Sequence, residues 1–393
     1  MPVDAPAQAP GDELADSPVA QRVRDLVPWL SRRADEIERA GAVPAEVVAA
    51  LRDAGCLRLV VPARYGGADL SLAQAVTVVE IVTRASGTLG WLVGQVALAH
   101  AVLSHLPLEV AAAIYAGGPD VFAAGAAAAK GRAIWNGGAW QVSGRWPLVS
   151  GIAHAEWLYL QCVVAREGEQ WAARDVPPDL RTVVLPAARV RVIPTWHGLG
   201  LRGSGSHDAH VSGELCPPEL TCDLLEPPAV VTASGRVPVR TQAGLVAAAF
   251  MTGTAAAALE EVAALASHKR PSFSTRRLAE SPRFQQALGE AYATLCAARS
   301  LLAVHLAAAE SGSEPVGEEE ETLLRAVGPK VAALACSVID VAYSLGGSTA
   351  VSDASPLQRR LRDGRSISQH ATLSTGYYGA LGALAAGSDP ADR

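Results

Sequence analysis

The chain has 393 residues, half of them hydrophobic and 18% charged, with a formal net charge of −6. That length predicts two or three units of the usual ~100–200 residues, and the apolar share is enough for large cores, which excludes a disordered chain. Mild acidity without a basic stripe excludes nucleic acid and anionic membrane surfaces as expected partners.

Residues 1–17 carry neither the basic region nor the apolar stretch of a signal peptide and read as a short disordered lead, so the chain is expected in the cytoplasm. Residues 18–119 read as a helical domain. Arg22, Asp25, Leu26, Trp29 and Leu30 recur with a helical period; Pro44-Ala45-Glu46 opens a second helix that Gly55 closes. Ser71 caps a third helix through Val76, Val79, Ile81 and Val82, and a fourth, Leu89 to Leu106, is apolar on nearly all sides and so expected to be buried.

From 120 to 237, glycine and proline punctuate short β-branched runs, which predicts a β-barrel or sandwich. The strand signals are Trp157–Val164, Thr182–Leu185 and Val190–Ile193. Gly137-Gly138 turns a hairpin between Ala133–Trp135 and Trp140–Val142. Residues 238–393 return to helix, rich in alanine. Ser281-Pro282 starts one helix, and the acidic run Glu318–Glu321 opens the next, where the helix dipole favours negative charge; Gly346-Gly347 ends it. The uncharged run near Gln242–Leu259 reads as a buried bundle helix rather than a membrane span, which needs about 20 predominantly apolar residues.

Cysteines stand at 56, 162, 216, 222, 296 and 336, with no CxxC and no zinc spacing, and read as free thiols; no metal site is expected. Gly198-Leu199-Gly200-Leu201-Arg202-Gly203 satisfies GxGxxG. A turn and another strand follow it instead of a helix, so no dinucleotide site is expected there. Ser150, just before Gly151, reads from pattern alone as a serine capping a turn.

Around that serine, Gly144-Arg145-Trp146, Ser150-Gly151, His154-Ala155 and Trp157 form a motif. It stands in order with Leu51–Gly55, Val61–Gly67, Ser86–Trp91, Gly198–Asp208, Leu345–Gly347 and Leu357–Asp363. Over residues 18–387 this combination resembles the flavin-dependent monooxygenases related to acyl-CoA dehydrogenases. That group includes two-component aromatic hydroxylases, desulfurising monooxygenases and amino-sugar N-oxygenases.

The resemblance implies an acyl-CoA dehydrogenase-like, mainly helical α+β fold: N-terminal helices, a central β-barrel domain and a C-terminal four-helix bundle, assembled as a homotetramer. It implies reduced FMN or FAD, delivered by a separate NAD(P)H flavin reductase. With O2 the flavin forms a C4a-hydroperoxide that oxygenates a small organic substrate, an aromatic or polyketide phenol first, an amino sugar or sulfur heterocycle next. Leu148, Val149 and Ser150 are implied to border the flavin, with the Ser150 hydroxyl at N5. Gly346, Gly347 and Arg276 are implied to approach the cofactor of a neighbouring subunit; a solvated basic loop is the alternative for Arg276. His370 is implied to manage protons near the flavin, or else to make a subunit contact. His100 is implied to orient or deprotonate substrate, with Trp91 walling the same pocket; both also read as core residues.

The dehydrogenases carry a glutamate base shortly after their Arg-Asp. Here no carboxylate follows Asp363 before Asp389, so the usual α-proton base is missing. A dehydrogenase with a relocated base, and a flavin-free scaffold on the same fold, are the two rival readings.

Overall fold

The computed structural model describes residues 16–165 and 179–388. Most of the expected disordered lead, residues 1–15, lies outside the described residues. Ser17, assigned to that lead, instead caps the first helix, its Oγ accepting from Ala20 N at 3.1 Å.

Among the described residues five α-helices come first: α1 (Pro18–Ala40), α2 (Ala45–Ala54), α3 (Leu72–Ala85), α4 (Gly87–Leu103) and α5 (Leu108–Ile114). Ser71 and Gln74 form a reciprocal cap at the start of α3. α4 begins two residues before the expected start and is buried along its length except at Gln95.

Among the described residues seven strands follow: β1 (Ala123–Trp135), β2 (Trp140–Val149), β3 (Trp157–Ala165), β4 (Leu180–Pro186), β5 (Arg191–Ile193), β6 (His207–Cys216) and β7 (Thr221–Cys222). They form one mixed sheet in the order β5-β6-β2-β1-β3-β4-β7, parallel only between β1 and β3. The sheet curls over a core of Val142, Trp146, Leu158, Leu160, Val183 and Val211, bringing Cys216 of β6 within 3.9 Å of the Val184 carbonyl of β4. The β1–β2 hairpin forms as expected: Trp135 pairs with Trp140, and the Asn136 side chain accepts from Gly138 N and Ala139 N.

The C-terminal part holds α6 (Val239–His268), α7 (Pro282–Glu310), α8 (Glu318–Gly346), α9 (Pro356–Ile367) and α10 (Tyr377–Ala385). The acidic run opens α8, and its last member, Glu321, also binds Arg240 and Thr241 of α6. α6 is the central helix, long and apolar enough to span a membrane but with 94% of its most apolar stretch buried inside the protein. Side chains of α1–α4 pack into one apolar core with those of α6, α7 and α8. Each fully buried Val or Leu there contributes about 1.5–3 kcal/mol. The two helical parts thus form a single body that holds the curled sheet against α4.

Candidate functional site

Ser150 owes its position to an irregularity in β2. Between Trp146 and Val149 the pairing with β6 gains one residue, since Trp146 faces Ala209 and Val149 faces His207. Strand side chains alternate, so residues three apart should face opposite ways. The bulge lets both Trp146 and Val149 point into the core and turns Leu148 out, 63% exposed, with a left-handed backbone at φ 62°. Non-glycine residues in that region cost roughly 1–2 kcal/mol. The strand ends at Val149, Ser150 opens the turn that follows, and a left-handed backbone at Gly151 leads into a short 3-10 turn.

The Ser150 hydroxyl joins two different elements. Its Oγ accepts from Trp91 Nε1 of α4 at 3.0 Å and lies 2.8 Å from Ser206 Oγ, which lies 2.7 Å from Ser204 Oγ. Gly151 N donates to Ser204 O at 2.9 Å, tying the same two segments by backbone. The Trp91 ring meets Phe250 of α6 edge-on at 5.8 Å and His370 at 5.3 Å. Ser150, Trp91 and His370 therefore form one cluster where sheet, α4 and bundle meet.

His370 is partly buried just after α9, and burial lowers its pKa from the ordinary imidazole value. Its Nδ1 accepts from Thr372 N at 3.4 Å and lies 2.8 Å from Thr372 Oγ1. A backbone N–H only donates, so Nδ1 is the bare nitrogen and Nε2 carries the proton. Among the described residues Nε2 has no hydrogen-bond partner, which leaves it to a ligand.

The segment from Thr195 to Asp208 is stapled throughout. His207 Nδ1 accepts from Thr195 N and Trp196 N, and Trp196 Nε1 donates to Leu201 O and Arg202 O. Asp208 receives Arg145 at 2.6 Å and Thr195 Oγ1 at 2.7 Å, and these donors hold its carboxyl below the usual carboxylate range against the opposing effect of desolvation. The loop presses on α9 so closely that a Cβ on Gly200 would sit 2.5 Å from the Arg362 carbonyl, a contact only glycine allows. Leu201 N donates to Asp363 Oδ1 at 2.7 Å. This packing is what the GxGxxG-like spacing serves. A charged cleft of about 820 Å³ opens between α1, Trp196–Gly198 and α9, but three of its arginines are paired, Arg362 and Arg202 with Glu38 and Arg359 with Asp35.

The other sequence candidates stand apart from this cluster. His100 lies nine residues along α4 from Trp91, about 13 Å along the axis. It is 1% exposed, and burial pushes its pKa down to about 4. Nε2 donates to Val121 O at 3.0 Å, so Nδ1 accepts from the Tyr115 hydroxyl at 2.8 Å. Both nitrogens are occupied by core partners, which corrects the expectation that His100 handles substrate. Gly346 and Gly347 end α8, where Lys269 Nζ donates to Gly346 O at 2.6 Å and to Thr349 at 2.8 Å. Arg276 is exposed on the α6–α7 connection beside the fully exposed Phe273.

The sequence reading took in Ser204 and Ser206 only as part of the Gly198–Asp208 segment, and it missed Thr372 and Phe250. The Ser-Gly-Ser spacing was the one available signal. Among the described residues no carboxylate hydrogen-bonds to any member of the cluster, and no three His, Cys, Asp or Glu side chains gather as metal ligands.

Family models for the acyl-CoA dehydrogenase N-terminal and C-terminal domains match residues 19–106 and 245–375. The chain is 31% identical over 386 residues to indole-3-acetate monooxygenase of Pseudomonas putida, covering 97% of each. It is 24% identical to the FADH2-dependent resorcinol hydroxylase oxygenase component of Rhizobium sp. (strain MTP-10005), covering 92% of this chain and 91% of that one. The solved structure of XiaF from Streptomyces sp., in complex with FADH2 and glycerol, superposes with a TM-score of 0.87 at 22% identity, covering 95% of this chain and 96% of that one.

Proposed function

The chain belongs to the flavin-dependent monooxygenases of the acyl-CoA dehydrogenase family, and from that premise we propose that it is the oxygenase half of a two-component system, acting on a small aromatic substrate at the Ser150–Trp91–His370 cluster. The cluster carries the reading: a buried hydroxyl, an indole and an imidazole with an open N–H meet in a largely apolar setting. Among the described residues no carboxylate hydrogen-bonds to the cluster, as a base in place for a dehydrogenase could.

The residues fit a flavin ring. Leu148 presents an apolar face beside the Ser150 hydroxyl, on a bulge whose strained backbone is otherwise hard to account for. Reduced FMN or FAD, when bound, supplies the electrons that activate O2. Ser150 holds a polar edge of the ring, and Trp91 fixes Ser150. His370, kept neutral by burial, offers its Nε2 proton to an oxygen of the reacting partners. Trp91, backed edge-to-face by the fully buried Phe250, supplies an aromatic wall against which a flat substrate can pack and from which water is excluded. The aromatic class is supported by the Trp91 ring and by the indole and phenol substrates named in the two relatives.

A separate NAD(P)H flavin reductase supplies the reduced cofactor, and the cytoplasm, where NAD(P)H is held, is the proposed location. We place Gly346, Gly347 and Arg276 at a neighbouring subunit's cofactor. Support comes from the outer faces of α7 and α8: only 28% and 39% of their most apolar stretches are buried within the chain, as a homotetramer requires.

The test supplies FMNH2 or FADH2 from a reductase, oxygen-18 gas and a panel of indoles and phenols. The expected result is label in an organic product, with Ser150→Ala lowering the ratio of product to hydrogen peroxide roughly two- to tenfold, the range for one lost hydrogen bond. Autoxidation at the rate found in buffer, with no label in any acceptor, removes the proposal.

A further inference from the structure

The hydroxyl chain behind Ser150 has one direction. Each serine has a single proton to donate and two lone pairs to accept with. Ser204 is the inner end: it is 2% exposed, and among the described residues its Oγ has no partner but Ser206. Were the chain to run inward, from Ser150 to Ser206 to Ser204, the Ser204 proton would be buried without an acceptor. Were Ser206 to accept from both neighbours, its own proton would be stranded in the same way, at 5% exposure. A buried donor left unmade costs about as much as the hydrogen bonds on offer are worth, or more. One proton always stays unplaced within the chain, and only the outward run, Ser204 to Ser206 to Ser150, puts it on Ser150, the end that borders the proposed flavin and can meet an acceptor there.

The consequence falls on Ser150. Its Oγ then accepts from Ser206 Oγ and from Trp91 Nε1, which occupies both lone pairs. Its own proton is the one free element of the chain, and Ser150, at 8% exposure, is the least covered of the three serines. We propose that Ser204 and Ser206 are positioning residues that, with Trp91, lock Ser150 as an obligatory hydrogen-bond donor to the flavin, so that it meets an acceptor atom, N5 or the C4 carbonyl, and not a ring N–H. This rests on the reading of the cluster as the flavin site. It departs from an arrangement in which Ser150 accepts a hydrogen bond from a protonated N5.

The test uses full-length protein saturated with oxidised FMN labelled with carbon-13 at C4 and nitrogen-15 at N5, read by NMR together with FMN affinity. In the wild type one of the two nuclei moves in the direction of an accepted hydrogen bond, relative to FMN in an aprotic solvent. Ser204→Ala, which frees Ser206 to accept the Ser150 proton, removes at least half of that displacement and weakens FMN binding roughly two- to tenfold. Ser204→Thr, which keeps the hydroxyl, restores both. Ser206→Ala, which takes away the rival acceptor, keeps the displacement, and it serves where Ser204→Ala folds poorly. A displacement that survives Ser204→Ala but vanishes in Ser150→Ala, or a wild type without it that gains it in Ser206→Ala, overturns the one-way chain and leaves Ser150 at the flavin. A displacement untouched by Ser150→Ala, or a wild type that binds no FMN in either redox state, removes the flavin site itself and the inference with it.

Discussion

Two histidines show how position alone assigns a residue its work. His370 and His100 have the same side chain, and burial lowers the pKa of each. His370 uses one nitrogen for Thr372 and leaves the other to the cluster, whereas His100 gives both to the core. Because His100 titrates near 4 in the folded chain and near 6.5 when unfolded, the unfolded state binds more protons between those values. Its contribution to stability is therefore complete above pH 6.5 and is lost as pH falls through 4, on the order of 3 kcal/mol. We expect His100→Gln, which cannot titrate, to flatten the loss of urea stability between pH 6.5 and 4, with a remainder from His105, His154 and His370, whose pKa values are also lowered. An unchanged slope would assign the acid sensitivity elsewhere.

Among the elements, α9 is the brace of the site. Asp363 on α9 accepts from Leu201 N in the loop that continues to Ser204 and Ser206, and it abuts α4, where a Cβ on Gly87 would fall 2.5 Å from its Oδ2. One carboxylate thus links the three elements that bear His370, the serine chain and Trp91. Burial raises its pKa to about 6; Glu38 adds to the rise, and the Leu201 N–H, Arg360 and Arg359 oppose it. The folded chain binds the extra proton between 3.8 and about 6, so this contribution to stability is fully present below 3.8 and is lost as pH rises through 6. Asp363→Asn keeps an acceptor for Leu201 N and is expected to remove that pH dependence without loss of stability at pH 8. Asp363→Ala leaves the Leu201 N–H unpaired and is expected to cost about 1–3 kcal/mol and to weaken flavin retention. Equal stability of the two variants at pH 8 in urea melts would show that the Leu201 contact does not brace the loop.

For the whole molecule, the apolar surface on α7 and α8 is where the proposed assembly can be tested. Val304 on α7 is 65% exposed and Leu323 on α8 is 37% exposed, on helices whose apolar stretches the chain itself covers only in part. A charge placed there should oppose association. Val304→Glu is expected to shift the mass seen by light scattering toward smaller species and to lower flavin retention with it, if a neighbouring subunit completes the cofactor site. A wild type that runs as a monomer would exclude the neighbour's role for Gly346, Gly347 and Arg276.

Much of this was legible in the residues themselves. The caps at Ser71 and Ser281, the Asn136–Ala139 hairpin, the acidic start of α8 and the glycines that end it are local features, since their partners lie within a few positions in the chain. The order of helices, sheet and bundle followed from local patterns of the same kind, and the motif around Ser150 pointed to the family. Distant contacts were not legible. The bulge at Pro147–Leu148 depends on where β6 pairs. Ser150 finds Trp91 across 59 positions and Ser206 across 56, and His100 is withdrawn from the site by Tyr115 and Val121. What the sequence by itself determined was which segments are helix, strand and turn, because backbone preference and side-chain period act over a few residues. Only the tertiary structure decided which hydroxyl meets which indole, which imidazole keeps a free nitrogen and which way the serine chain runs. Those outcomes depend on the full set of partners around each buried polar group, and folding alone assembles that set.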